Sequence, residues 1–397
     1  MFSLFLMTRI AAIRRWPGFA GTTAISLASL LLCVGPVAAL ETVTWKNADS
    51  ERTVSGKILS TARDGGILLL GPDGRIWTIQ AAEVVRRATD EREFVPLTPA
   101  AAAEEILREL PDGFAVHSTA HYVIMYNTTK AYAQWCGALL ERLYTGFYNY
   151  WTRLGLKLKP PELPLVVVVF SDADSYATFT KSELAGDARQ IAAFYSLASN
   201  RVCLYDLTGV DSLRQASDQR STVGQINAIM TRPAALPMVS TVIHEATHQL
   251  AYNSGMHQRY ADIPLWVSEG LAVFFESPDL RSSKGWQTIG AVHHARLAQF
   301  REYLPTRPGE SLKTLTADNQ RFLQPKQSLA AYAEAWALNH YLLKQKPKEY
   351  AAYLATLGQK EPFLWDEPGI RHQEFTKHLG EFSAVEKGLL AYVSKLK

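Results

Sequence analysis

The chain has 397 residues, of which 47% are hydrophobic and 20% charged, with a formal net charge of +3 and three cysteines. This length allows two or three domains with sizeable cores. Because the net charge is small, composition gives the chain no bulk attraction to nucleic acid or to anionic membranes. Three cysteines are too few for a multi-cysteine metal cluster.

Residues 1–39 have the pattern of an export signal. Three arginines precede a short apolar core at residues 25–34, and Val37-Ala-Ala39 offers small side chains for cleavage. The core is too short and too rich in Gly, Thr and Ser for a typical membrane span, although an uncleaved anchor is the alternative. We expect an exported protein of the periplasm, cell envelope or extracellular space, without stable membrane insertion after cleavage. The remaining chain carries 38 basic and 38 acidic side chains.

Residues 40–95 alternate between apolar and polar side chains in short segments separated by Asp-Gly turns, which is typical of small β-strands. The segment Gly71-Pro-Asp-Gly-Arg-Ile-Trp-Thr-Ile79 is similar to SH3-like barrel modules attached to secreted bacterial proteins. That resemblance implies a spacer or a binding adaptor. Residues 96–111 begin with a stretch rich in Pro and Ala, and we expect them to be a linker leading into a short helix.

Residues 112–283 are predicted to form the next unit of the chain. The patterns predict a strand at 121–126, a long amphipathic helix at 130–156, a buried strand at 165–170 and a hairpin turning at 197–200. The polar segment 206–237 is predicted to be an irregular loop or flap above a cleft.

The segment Thr241-Val-Ile-His-Glu-Ala-Thr-His-Gln-Leu250 carries the strongest chemical motif in the chain. In a helix, His244 and His248 lie one turn apart and leave the same face, with Glu245 beside them. The remaining positions are neutral and mostly apolar, so Glu245 is the only charged side chain apart from the histidines. This is the H-E-x-x-H arrangement, in which two histidines bind zinc and the glutamate can reach a zinc-bound water.

A catalytic zinc takes three protein ligands and leaves one position for water. Residues 264–276 form a second apolar segment with helical spacing, and Glu269 is its one interior acid. The segment Asn253-Ser-Gly-Met256 suits the end of the first helix, so the chain can turn and return antiparallel. The sequence therefore predicts a zinc site formed by His244, His248 and Glu269.

The pair His244-Glu-Ala-Thr-His248 and Trp266-Val-Ser-Glu-Gly-Leu-Ala272 resembles the gluzincin branch of zinc metallopeptidases. Within it, the likeness is to secreted bacterial peptidase-MA-like proteins of largely uncharacterised function. The resemblance is specific over residues 114–275 and weaker through the C-terminal helices. It implies an α+β fold with a zincin-like catalytic domain, Zn²⁺ as cofactor, a peptide or protein substrate, and Glu245 as general base.

The same resemblance implies a mixed sheet over the metal helix, whose edge strand can pair with an extended peptide. Residues Arg201–Tyr205 are the candidate for this substrate strand. The alternative is that they form plain core β-structure without a role in binding.

Residues 284–397 show helical spacing broken by prolines, and we expect a C-terminal helical region that completes the active-site cleft. By the resemblance, a Tyr or His from this region would stabilise the oxyanion. Tyr332 is the first candidate because of its separation from Glu269, and His340 is the second. The alternative is that both are core side chains that cover the zinc helices.

The metal motif predicts a zinc site with Glu245 beside it, and the resemblance implies a secreted zinc metallopeptidase that hydrolyses peptide bonds by Glu245-assisted attack of a zinc-bound water. Two other functions stay open. One is a non-catalytic zinc-containing binding or scaffold protein of the cell envelope, and the other is a zinc amidase that acts on a cell-wall amide.

Two sets of side chains have no assigned chemistry. Cys136 and Cys203 either form one disulfide or remain two separate buried thiols. The other histidines are expected at the surface or in hydrogen bonds rather than on a metal: His117, His121, His257, His293, His294, His372 and His378.

Overall fold

The structure is a computed structural model that describes residues 39–46, 50–184, 187–277, 279–280 and 286–397. The predicted export signal, except for its last residue, and the predicted boundary between residues 283 and 284 lie outside these ranges. Within the described residues, two five-stranded sheets and 13 α-helices give an α+β fold, as predicted.

The first sheet is antiparallel and has the strand order β4-β3-β2-β1-β5. Its strands are β1 Ala39–Lys46, β2 Glu51–Thr61, β3 Ile67–Leu70, β4 Ile76–Ile79 and β5 Val84–Glu93. Alternating residues of β1 and β3 bury one face of this sheet, which matches the period of two in the sequence. They form a small core of their own with Ile79: Val43, Trp45, Ile67 and Leu69.

The second sheet is mixed and has the strand order β6-β7-β8-β10-β9. Its strands are β6 Ala115–Ser118, β7 Tyr122–Tyr126, β8 Leu165–Phe170, β9 Ala193–Tyr195 and β10 Arg201–Tyr205. The parallel strands β7, β8 and β10 form its centre. All residues of β8 are buried, because a central parallel strand is covered on both faces.

The position of β10 corrects one prediction. Arg201–Tyr205 pairs with β8 on one side and with β9 on the other, so it is an interior strand and not the edge. The edge at this side of the sheet is β9, whose three residues pair only with β10 among the described strands. A substrate peptide that added to this sheet would therefore meet β9.

The helices fill the space around the mixed sheet and all of the C-terminal part. In chain order they are α1 Pro99–Leu107, α2 Lys130–Arg153, α3 Ala173–Thr180, α4 Val223–Met230, α5 Leu236–Asn253, α6 Leu265–Phe275, α7 His294–Tyr303, α8 Ser311–Ala317, α9 Gln320–Leu323, α10 Pro325–Gln345, α11 Pro347–Leu357, α12 Pro368–Leu379 and α13 Phe382–Val393.

Helices α5 and α6 lie at the centre of the molecule. Every residue of α6 is buried, as is α5 from Thr241 to Ala251. Helix α5 packs against α6 on one side and against β9 and β10 on another, and α10 packs along α6. A helix that is covered all round can be apolar all round, which explains why both segments have so few charged residues.

The segment 206–237 differs from its predicted form. Helix α4 occupies Val223–Met230, and Arg232 forms a two-point ion pair with Asp218 at 2.6–2.7 Å. Arg232 also donates to the carbonyl oxygen of Leu213. The segment therefore contains a helix and polar contacts of its own, so the expectation of a wholly irregular segment is wrong.

Two further observations concern the cysteines and the membrane. Cys136 and Cys203 are both buried and both free, which matches the alternative of separate thiols.

Among the described residues, no helix combines the length and apolarity that crossing a membrane requires.

Candidate metal centre

The two histidines of α5 converge on one point. His244 and His248 lie on the same face, their rings meet edge to face, and their Nε2 atoms are 3.0 Å apart. Both side chains are buried, so the packing around them restricts the orientation of their rings. The arrangement is the one that the spacing predicts.

Helix α6 supplies the third group. The Oε2 atom of Glu269 lies 3.2 Å from Nε2 of His244, and its Oε1 atom lies 3.6 Å from Nε2 of His248. Zinc bonds of about 2.0 Å in a tetrahedral site place ligand atoms roughly 3.3 Å apart. The observed separations fit that geometry, and the three residues could together hold a metal ion.

A second carboxylate orients the first histidine. Oε1 of Glu276 lies 2.6 Å from Nδ1 of His244, and Oε2 of the same residue lies 3.1 Å from Nε2 of His293. Outer partners of this kind fix the tautomer and the ring orientation of a ligand histidine. Sequence reasoning missed Glu276, although it follows Glu269 by seven residues and so lies two helical turns further along nearly the same face.

Burial and the neighbouring carboxylates shift the pKa values of the two histidines in opposite directions. Burial alone would lower the pKa of His244, but its bonds to Glu269 and Glu276 outweigh burial and raise that pKa well above its usual value. Burial lowers the pKa of His248 to about 4, with Glu269 opposing the shift. Despite burial, hydrogen bonds from His244 and His293 hold the pKa of Glu276 well below its usual range. This direction of shift favours an ionised Glu276 at neutral pH.

The carboxylate of Glu245 is hydrogen-bonded to the edge strand of the mixed sheet. Its Oε2 atom accepts a hydrogen bond of 2.8 Å from the backbone N–H of Tyr195, the last residue of β9. Burial raises the pKa of Glu245 to about 8, and a cation held by the neighbouring ligands would lower it again. The carboxylate is thus fixed in orientation and sensitive to charge beside it.

Glu245 and two further polar side chains on the same face of α5 bond to the β9–β10 hairpin or to the strand beside it. Gln249, one turn on, donates to the carbonyl oxygens of Val166 and Asn200 at 2.9 Å each. Asn253, two turns on, exchanges side-chain hydrogen bonds of 2.8 Å with Asn200. Asn200 has a φ of +61°, a left-handed turn conformation that asparagine tolerates better than most residues. Glu245, Gln249 and Asn253 therefore tie the metal helix to the hairpin.

Two further aromatic side chains, Tyr252 and His257, lie beyond His248, and the sequence did not predict their contact. Tyr252 lies one turn beyond His248, and its ring stacks on Tyr195 with centroids 5.8 Å apart. The ring of His257 meets Tyr252 edge to face at 5.3 Å. His257 is 1% exposed, and neither ring nitrogen has a hydrogen-bond partner among the described residues. The expectation of a surface or hydrogen-bonded histidine is wrong for His257.

The two candidates for the oxyanion role lie on α10. Tyr332 is buried, its ring packs edge to face against Phe322, and the guanidinium of Arg296 lies over it. His340 bonds through Nε2 to the carbonyl oxygen of Gly290 and through Nδ1 to the hydroxyl of Tyr392. Both ring nitrogens of His340 thus have partners outside the metal group. These contacts agree with the alternative that both residues are core side chains.

Part of the chain that contains the metal group matches a known protein family. Residues 238–364, roughly a third of the chain, match the family described as "Protein of unknown function (DUF1570)". The matched segment contains the three metal-group residues, Glu245, Glu276 and both α10 candidates. No curated protein matches the chain.

Proposed function

We propose that this protein is an exported, zinc-dependent metallopeptidase of the gluzincin type, with a zincin-like catalytic unit and an SH3-like N-terminal unit. The observation that carries the proposal is the convergence of His244, His248 and Glu269 with Glu245 held beside them. A metal site with a purely structural role is usually closed by four protein ligands, whereas three ligands and an adjacent carboxylate are typical of zinc hydrolases.

The donor set also favours zinc over the other common cations. Two imidazole nitrogens and one carboxylate suit Zn²⁺, whereas Mg²⁺ and Ca²⁺ prefer sites made of oxygen atoms alone. His244, His248 and Glu269 would hold the ion, and Glu276 would keep His244 in the tautomer that leaves Nε2 for the metal. When bound, zinc supplies Lewis acidity, which polarises water and the scissile carbonyl.

Glu245 is the residue that moves protons in this proposal. Its carboxylate takes a proton from water as the water attacks the peptide carbonyl, and the same residue gives that proton to the leaving amine. The hydrogen bond from the Tyr195 amide restricts the rotation of the carboxylate, so the proton acceptor is positioned before substrate arrives. The assignment of the oxyanion donor to Tyr332 stays a prediction. Both ring nitrogens of His340 are already hydrogen-bonded to other groups, which argues against this residue as the oxyanion donor.

The test is zinc content and peptide hydrolysis measured on the same purified samples. We expect about one zinc per chain and cleavage of an unstructured protein such as casein. His244→Ala and Glu269→Ala should lose both zinc and cleavage. Glu245→Gln, which keeps the shape of the side chain, should retain zinc and lose about 10²–10⁴-fold in kcat.

The outcomes separate the proposal from its two alternatives. Zinc with no cleavage of any peptide would favour the envelope scaffold protein. Zinc with cleavage only of cell-wall amides would favour the amidase. Full hydrolysis by Glu245→Gln would refute the mechanism, and the absence of zinc from wild type would refute the site itself.

A further inference from the structure

The hairpin that holds Glu245 is also bonded to the N-terminal sheet. The turn between β3 and β4, which we call the β3–β4 turn (Gly71–Arg75), lies against the turn of the β9–β10 hairpin (Ser196–Asn200). The backbone N–H of Ile76, directly after the β3–β4 turn, donates to the carbonyl oxygen of Ala198 at 2.7 Å. The two sheets are therefore joined by a backbone hydrogen bond between their turns.

Arg259 bridges the same two turns. Its Nη1 atom donates to the carbonyl oxygen of Gly74 at 2.8 Å and to that of Leu197 at 3.1 Å. Arg259 is buried in the loop between α5 and α6, so one guanidinium links the metal helices, the hairpin and the N-terminal sheet. Burying a guanidinium without its hydrogen bonds is costly, which makes this three-way contact specific.

An ion network extends the contact to the start of β10. Arg201 is 3% exposed and pairs with Glu109 at 2.8 Å and with Asp73 of the β3–β4 turn at 3.4 Å. Arg75, also in that turn, pairs with Glu109 at 2.6 Å. The side chains of Leu68 and Ile76 belong to the main core rather than to the small core of the first sheet. A spacer or adaptor on a flexible linker would need none of these bonds.

We propose that the β3–β4 turn is a positioning element of the active site. Through Arg259 and Ile76 it fixes the hairpin turn, and the hairpin in turn fixes the Tyr195 amide that orients Glu245. The inference rests on the proposed function insofar as Glu245 is the general base. It assigns the N-terminal sheet a role in turnover, in place of the spacer or adaptor role that its resemblance implies.

The size of β9 explains why such support is needed. β9 has three residues and pairs with one strand among those that the structure describes, and strands this short are weak without outside contacts. On the other side of the hairpin turn, Gln249 and Asn253 bond to Asn200. The turn is therefore held from α5 and from the N-terminal sheet. A displacement of about 1 Å at a catalytic group can cost roughly 10²-fold in rate.

The experiment uses the full chain with two variants at the contact, Arg259→Ala and Asp73→Ala, and with Arg259→Lys as the conservative variant. Asp73→Ala is the milder change, because Asp73 lies in the turn, accepts from the Arg75 amide and pairs weakly with Arg201. Arg307→Ala is the matched control. Arg307 is a partly buried arginine whose side chain is 5% exposed, and it pairs with Glu334 and Glu386 in the C-terminal helices, away from the hairpin.

Each variant is measured by hydrogen exchange, zinc content and steady-state hydrolysis. We expect exchange in the 193–205 peptide to be about tenfold faster in Arg259→Ala and less so in Asp73→Ala, with the exchange of α5 and α6 unchanged. Zinc content should stay at the wild-type level while kcat falls about tenfold or more and KM changes less. Arg259→Lys should recover part of both losses, and Arg307→Ala should lower stability without either effect.

The proposal is overturned if Arg259→Ala and Asp73→Ala leave exchange of the hairpin at the wild-type rate, or if Arg307→Ala speeds it equally. Faster exchange with an unchanged kcat also overturns it. If zinc-loaded wild type cleaves no peptide, the proposed function fails and the role in turnover fails with it, while hydrogen exchange still decides whether the turn fixes the hairpin.

Discussion

The two faces of α5 are assembled from different parts of the chain. The metal face, His244 and His248, is completed by Glu269 and Glu276, all within one short stretch of sequence. The hairpin face consists of Glu245, Gln249 and Asn253. It is completed by β9 and β10, and through them by the β3–β4 turn. The metal ligands are therefore set by local sequence, whereas the orientation of Glu245 depends on contacts between residues far apart in sequence.

The largest effect is expected when a ligand of the metal face is removed. His248→Ala removes one of three ligands, so we expect a loss of zinc affinity greater than the 10–100-fold that outer partners contribute. Competition with a chromogenic chelator measures the affinity. The control is His294→Ala, which removes an exposed histidine of α7 and should leave affinity unchanged. Retained affinity in His248→Ala would remove this residue from the site.

A smaller effect is expected at the second carboxylate. Glu276→Gln keeps the shape of the side chain but removes the charge that orients His244, so zinc affinity should fall about 10–100-fold. His293→Ala touches the site only through Glu276 and should cost less. The same chelator assay ranks the variants. Equal affinities for Glu276→Gln and wild type would show that Glu276 has no role in metal binding.

The pH dependence of zinc binding follows from the raised pKa values of His244 and Glu245. Before metal binds, both groups should hold a proton at neutral pH, whereas His248 with its pKa of about 4 should not. Zinc displaces the proton of His244 and its charge lowers the pKa of Glu245, so affinity should fall by up to about 100-fold for each unit that the pH drops below neutrality. Calorimetry in buffers of different ionisation enthalpy should report about two protons released per zinc near pH 7. Release of no proton would contradict the protonation of both groups.

The smallest effect tests the hairpin face alone. Asn253→Ala removes the reciprocal amide bonds to Asn200, which should lower the free energy of unfolding by about 1 kcal/mol for each net hydrogen bond lost. Zinc affinity should not change, because the metal face is untouched. Denaturant unfolding of the zinc-loaded protein measures the first quantity and chelator competition the second. A large loss of zinc affinity would mean that the two faces are not separable.

The metal face could be predicted from sequence because its geometry is helical. Residues four apart share a face in any α-helix, so His244 and His248 needed no knowledge of the fold. Glu269 followed from the need for a third ligand on a second apolar helix. Glu276 could have been found by the same periodicity. The helix boundaries were also close, since α6 begins at Leu265 and ends at Phe275 within the predicted segment.

The hairpin face could not be predicted in the same way. Which strand lies at a sheet edge depends on strand order, and Arg201–Tyr205 was wrongly placed there because order is not encoded in a local pattern. The polar composition of residues 206–237 predicted an irregular segment, so α4 was not predicted. Part of this polarity belongs to ion pairs such as Arg232–Asp218, which stabilise a folded segment. The contact between the hairpin and the N-terminal sheet joins residues more than 100 positions apart.

The most direct test of the metal centre is a crystal structure of the zinc-loaded protein with anomalous data on both sides of the zinc absorption edge. We expect one strong zinc peak per chain, bonded to Nε2 of His244, Nε2 of His248 and a carboxylate oxygen of Glu269 at about 2.0–2.2 Å. Glu245 should not be a ligand. A peak bonded to other residues, or direct bonding of Glu245 in place of Glu269, would refute the proposed metal centre.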